Sequence, residues 1–172
     1  CAHSAGGWLA RAALADDAWL ASGGAGRVCG LVTLGAPHYP PPDGLAPCAT
    51  RGALAYCEQA LPGAHVDGIE YVTVAGAAIA GAKPTVGEAA EQTAAQRAAA
   101  IAYNNYRALS GDGCAVGDGV IPVETAHLPG AMQLTLENVV HSINEAGSAA
   151  PTERRYGSER EIDARLPHVL EC

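Results

Sequence analysis

The chain has 172 residues, about one domain's worth of sequence, and a net charge of −8 with only 16% of its residues charged. An acidic chain with ten scattered Lys and Arg offers no basic face for nucleic acid, and no apolar window reaches the ~18–20 residues of a membrane span. Ala and Gly (37 and 21 residues) make up a third of it, Phe is absent, and Leu, Ile and Val total 32, so a thin core is expected.

In chain order, Trp8, Leu9, Ala12, Ala13, Trp19 and Leu20 have helical spacing, which predicts a helix over 5–21 stopped by Gly23-Gly24. The nearly all-apolar run 28–34 reads as a strand buried on both faces, ended by Gly35-Ala36-Pro37. A proline loop follows at 40–44, then a second buried-strand pattern at 69–75. Residues 88–109 are rich in Ala, Glu, Gln and Arg and predict a long helix. Gly111 to Gly119 reads as turn, 132–136 as a weaker strand, and 148–157 as an exposed polar loop. Ser158 with Glu161 spells a capping box for a last helix near 159–171, which Pro167 interrupts. Apolar strands alternating with helices imply class α/β: a mostly parallel sheet flanked by helices, in one domain.

The first seven residues, Cys1-Ala2-His3-Ser4-Ala5-Gly6-Gly7, match a nucleophile elbow with Ala in place of its first Gly. Such a turn carries a serine from strand to helix, so the positions two before and two after it must be small, as Ala2 and Gly6 are. It places the Ala5 N–H at a helix N-terminus, a natural oxyanion donor. An activated serine needs a base, and the base needs an orienting carboxylate. Asp118, in a Gly-Asp-Gly turn followed by Val-Ile-Pro, is the candidate acid, with Asp112 its rival. His141, after the weak strand, is the candidate base, with His127 its rival. His3, next to the serine, is expected to point away from it. His38 and Tyr39, after the first buried strand, join His3 as candidate pocket residues, while His65 and His168 are expected at the surface. The six cysteines at 1, 29, 48, 57, 114 and 172 show neither CxxC nor Cys/His ligand spacing, so no metal is expected.

Residues 2–11 (Ala-His-Ser-Ala-Gly-Gly-Trp-Leu-Ala-Arg), 31–38 (Leu-Val-Thr-Leu-Gly-Ala-Pro-His), 117–122 (Gly-Asp-Gly-Val-Ile-Pro) and 139–142 (Val-Val-His-Ser) together resemble the α/β-hydrolase superfamily. More narrowly they resemble its plant and algal lipase-like branch, akin to GPI inositol-deacylases. The resemblance spans about residues 2–157 in collinear order and implies Ser4 as nucleophile, Asp118 as acid and His141 as base, with no cofactor. It implies hydrolysis of a small or lipid-like acyl ester. Acyl transfer shares the same residues, and a non-catalytic binding module would share the fold. Cys1 stands where a translated chain has Met, and the superfamily carries strands before its elbow. The chain is therefore expected to be the C-terminal portion of a longer protein.

Overall fold

The computed structural model describes residues 1–43, 48, 50–84, 92–144 and 152–169. Its elements run β1 (Ala2–His3), α1 (Ala5–Leu14), α2 (Asp17–Ala21), β2 (Gly30–Leu34), α3 (Ala53–Ala60), β3 (Glu70–Ala77), β4 (Ile79–Ala80), α4 (Ala94–Ser110), β5 (Val116–Gly117), α5 (Val123–Ala126), β6 (Met132–Glu137) and α6 (Glu159–Val169). The central sheet has the order β1-β2-β3-β6 and every pairing in it is parallel. The protein is thus mixed α/β, with a parallel sheet flanked by helices.

Strands β2 and β3 lie in the middle of the sheet, which explains their unbroken apolar sequences. Their side chains alternate between two cores. Leu31 and Tyr71 pack with Leu14, Leu61, Ile69 and Leu128 on one side. Val32, Leu34, Val72 and Val74 pack with Val139 and Tyr156 on the other. A fully buried side chain of this size contributes about 1.5–3 kcal/mol, so a few two-sided strands go far in a chain poor in large apolar residues. Strand β6 is an edge strand. Only Leu134 and Leu136 are half-buried along it, and their alternation with Gln133, Thr135 and Glu137 is why its pattern is weak in sequence.

Several elements differ from the sequence expectation. The helix expected over 5–21 breaks after Leu14, because Asp16 Oδ1 accepts the Trp19 N–H at 2.7 Å and starts a new helix. The first buried strand is shorter than 28–34, beginning at Gly30. The long helix starts at Ala94, where Thr93 and Gln96 form a reciprocal capping box; 88–91 of the expected span lie outside the described residues. The supposed turn 111–119 contains β5, which pairs antiparallel with β4.

At the C-terminal end, Ser158 Oγ donates to the Arg155 carbonyl instead of capping Glu161. Pro167 sits inside α6, which continues to Val169; 170 and 171 lie outside the described residues. Of the loop expected to be exposed, 148–151 lie outside the described residues, but Thr152 and Tyr156 are buried.

Arg11 holds the layers on the first face together. It is 1% exposed, and its guanidinium donates to the carbonyls of His38 (2.9 Å) and Leu61 (2.7 Å), tying α1 to the chain on either side of α3. Among the described residues no helix is long and apolar enough to cross a membrane.

Candidate active site

Ser4 occupies the single position between the end of β1 and the start of α1. Its backbone lies at φ 53°, ψ −127°, a conformation that costs an L-residue on the order of 1–3 kcal/mol and persists only where the surroundings impose it. The surroundings do so here. The Ser4 N–H donates to the Leu34 carbonyl at 3.0 Å, and the Gly7 N–H closes back on the Ser4 carbonyl at 3.0 Å. The position needing no side chain is Gly7 more than Gly6. A Cβ on Gly7 would stand 2.3 Å from Ala36 Cβ, whereas one on Gly6 would make an ordinary 3.6 Å contact with Ala2. Helix α1 can therefore descend onto the end of β2 and aim its N-terminus past the serine. Ala5 is the first residue of that helix, so its N–H has no acceptor within it.

Asp118 is held by the turn that the Gly-Asp-Gly-Val-Ile-Pro sequence builds. Its own carboxylate closes the turn, with Oδ1 accepting the N–H groups of Val120 (2.9 Å) and Ile121 (2.7 Å). Gly119 turns the chain at φ 97°, and a Cβ on Gly117 would collide with the Ile121 carbonyl at 2.2 Å. Helix α4 braces the outside of the turn. Asn105 Nδ2 donates to the Gly119 carbonyl, and the Tyr106 hydroxyl accepts the Gly119 N–H at 2.7 Å and donates to the Ile79 carbonyl. Burial pushes the Tyr106 phenol up to about 12, so it remains a donor across the ordinary pH range.

His141 lies four residues beyond β6, pinned by its own N–H to the Asp118 carbonyl at 2.9 Å. Its ring Nδ1 is 2.8 Å from Asp118 Oδ2, and its Nε2 is 3.0 Å from Ser4 Oγ. A carboxylate accepts only, so Nδ1 carries the proton and donates, leaving Nε2 to accept from the serine hydroxyl. Three side chains separated by up to 137 residues in sequence thus form one continuous line of hydrogen bonds. The Asp118 side chain is 1% exposed and that of His141 9%. No family model, curated protein or solved structure matches this chain.

The rival residues lie elsewhere. Asp112 is exposed and its Oδ1 accepts the Cys114 N–H. His127 is fixed between two sheet threonines, with Nδ1 3.0 Å from Thr73 Oγ1 and Nε2 3.0 Å from Thr135 Oγ1. His38 is wholly buried, its Nε2 3.1 Å from Thr33 Oγ1, and Tyr39 packs on the first core. Neither His38 nor Tyr39 lines the cavities at His141. His65 is exposed, and the His168 side chain lies outside the described residues.

His3, expected to point away from the serine, packs against the His141 ring. Its ring lies 4.6 Å from that of His141, and Nε2 donates to the His141 carbonyl at 3.1 Å. Desolvation, and then the neighbouring His141, push it below the ordinary histidine range. Next to His141 an open cavity of about 290 Å³ is bordered by Leu34, Ile143, His3, Arg155 and Arg165. Among the described residues no group of three or more His, Cys, Asp and Glu could hold a metal ion.

Tyr156 escapes the sequence reading altogether. It enters the second core from the chain just before α6 and places its hydroxyl 2.9 Å from Asp118 Oδ2. A tyrosine in a polar stretch after a run of Ser, Ala and Pro carries no local signal of burial.

Proposed function

We propose that the chain is a serine hydrolase acting on a carboxylic ester, with the α/β-hydrolase resemblance of its motifs giving the fold family. The observation that carries this reading is the line Ser4 Oγ, His141 Nε2, His141 Nδ1, Asp118 Oδ2, with both links at hydrogen-bond length. Its support lies in three further features: the strained serine backbone, the helix N-terminus beside it and the near-complete burial of the acid.

The chemistry follows from those positions. Ser4 Oγ attacks the ester carbonyl carbon as its proton passes to His141 Nε2, and the carbonyl electron pair moves onto oxygen. The Ala5 N–H, aided by the α1 dipole, stabilises that oxyanion. Collapse of the intermediate expels the alkoxide, which takes the proton from His141 and leaves an acyl ester on Ser4. Water, deprotonated by His141, then attacks the acyl carbon, and the acid departs as Ser4 recovers its proton. Asp118 remains ionised throughout and stabilises the transient imidazolium. Leu34 and Ile143 beside His141 suit an apolar acyl or alcohol group, which fits a small or lipid-like ester.

A fluorophosphonate probe tests the reading. It should label the protein at Ser4, and Ser4→Ala and His141→Ala should abolish labelling. Labelling that survives Ser4→Ala, or a folded protein that the probe does not touch, would refute it.

A further inference from the structure

We infer that Tyr156 is a positioning residue for the candidate triad: its hydroxyl, oriented by the Gly76 N–H, donates to Asp118 Oδ2 and sets how strongly that carboxylate holds His141. The inference rests on the serine hydrolase reading for its role in turnover, although the contact with Asp118 stands on geometry alone.

Four donors converge on the Asp118 carboxylate. Oδ1 takes the two backbone N–H groups of its own turn, while Oδ2 takes His141 Nδ1 at 2.8 Å and the Tyr156 hydroxyl at 2.9 Å. The two backbone donors fix where the carboxylate sits. The two on Oδ2 compete for the same charge, so Tyr156 withdraws part of the electrostatic support that His141 would otherwise receive.

The direction of the phenol's bond is fixed from the far side. The Gly76 N–H donates to the Tyr156 oxygen at 2.7 Å, so the phenol accepts there and its one proton goes to Asp118. Tyr156 is 3% exposed, and burial followed by the Asp118 charge pushes its pKa well above the ordinary phenol range. The group therefore stays a donor. Space is kept for it by two glycines. A Cβ on Gly35 would lie 2.8 Å from the Tyr156 oxygen and one on Gly76 3.1 Å from it. Gly35 follows β2 and Gly76 is the penultimate residue of β3, so the sheet itself delivers the cradle.

The groups facing His141 are Asp118, His3 and Tyr156, with Arg155 and Arg165 along the adjoining cavity. A substitution confined to the Tyr156 hydroxyl leaves the other four in place. Without that hydroxyl the Asp118 charge is less compensated, and the imidazolium form of His141 gains.

The experiment follows the His141 imidazole by NMR across pH in the protein and in Tyr156→Phe, together with thermal unfolding. The titration midpoint should rise by about half to one pH unit in Tyr156→Phe, and the acid limb of ester turnover should move up with it. A folded Tyr156→Phe protein with an unmoved midpoint overturns the inference, since a merely structural phenol would lower the unfolding temperature alone. If Tyr156→Phe does not fold, 3-fluorotyrosine placed at position 156 keeps the shape and strengthens the donor. It should move the midpoint down, and no movement overturns the inference. A shifted midpoint in a protein whose Ser4 ignores fluorophosphonate would sink the hydrolase reading and leave Tyr156 in its role toward Asp118.

Discussion

A Cβ added to Gly35 would stand 2.5 Å from Asp118 Oδ2, the oxygen that holds His141. Gly35 also sits at φ 50°, directly after β2, where its N–H donates to the Val74 carbonyl at 2.8 Å. Gly35→Ala therefore meets strain and collision together. It should destabilise the protein by about 2–4 kcal/mol in urea unfolding. Ester turnover in the fraction that stays folded should fall at least about tenfold, because the carboxylate must swing away from His141. Wild-type turnover in Gly35→Ala would mean that Oδ2 does not orient the imidazole.

Asp118 and Asp112 share a Gly-Asp-Gly setting six residues apart, and their substitution separates turn chemistry from catalysis. Asp118→Asn keeps the shape but replaces one acceptor oxygen with a donor, which favours the wrong imidazole tautomer. Turnover should drop by about 10³–10⁴-fold. Asp112→Asn touches only an exposed turn and its Cys114 N–H, so turnover should stay within about twofold. Comparing kcat of the two variants on one chromogenic ester checks this, and equal losses would reject Asp118 as the acid.

The adjacent glycines Gly6 and Gly7 should respond in opposite directions. Gly6 is helical with room for a methyl group, so Gly6→Ala should be neutral or stabilise by up to about 1 kcal/mol. Gly7 faces Ala36 and Thr33 across the α1–β2 contact, and Gly7→Ala should cost about 1–3 kcal/mol. Denaturant midpoints of the two variants measure the difference. A stabilising Gly7→Ala would mean that the helix does not approach the sheet this closely.

The two central strands and the serine turn were legible because each leaves a local mark: an unbroken apolar run, or small residues around Ser4. Asp118 was legible for a similar reason, since its turn is spelled by Gly117, Gly119 and Pro122. What sequence could not show is which polar side chains the tertiary fold turns inward. Thr33 and Thr73 stand side by side in register on one face of the sheet, and His38 and His127 are drawn onto them. In sequence those histidines look like loop residues free to serve a site. Arg11 is likewise a surface residue by type, and the converging carbonyls of 38, 57 and 61, with Glu58 3.9 Å away, explain its burial. The break at Asp16 was missed because a side-chain cap competes with a helical apolar pattern that continues through it.

His38 should make the fold sensitive to mild acid. Its ring is wholly buried and Nδ1 has no partner among the described residues. Burial first, then the charges of Arg11 and His127, push its pKa from 6.5 down to about 3. The folded protein therefore keeps His38 neutral, while the unfolded chain takes up a proton near its ordinary value. Below that value the unfolded state binds more protons, so the His38 contribution is fully present above about pH 6.5. As pH falls it is lost at up to about 1.4 kcal/mol per unit, until the folded ring itself titrates near 3. Other lowered histidines, His3 and His127, act in the same sense and remain in the comparison. His38→Gln keeps a polar atom near Thr33 but cannot titrate. Urea unfolding at pH 7, 6, 5 and 4 should give a stability curve with a slope shallower than that of the parent by about one proton. Parallel curves would show that His38 is protonated, or reaches solvent, in the folded state.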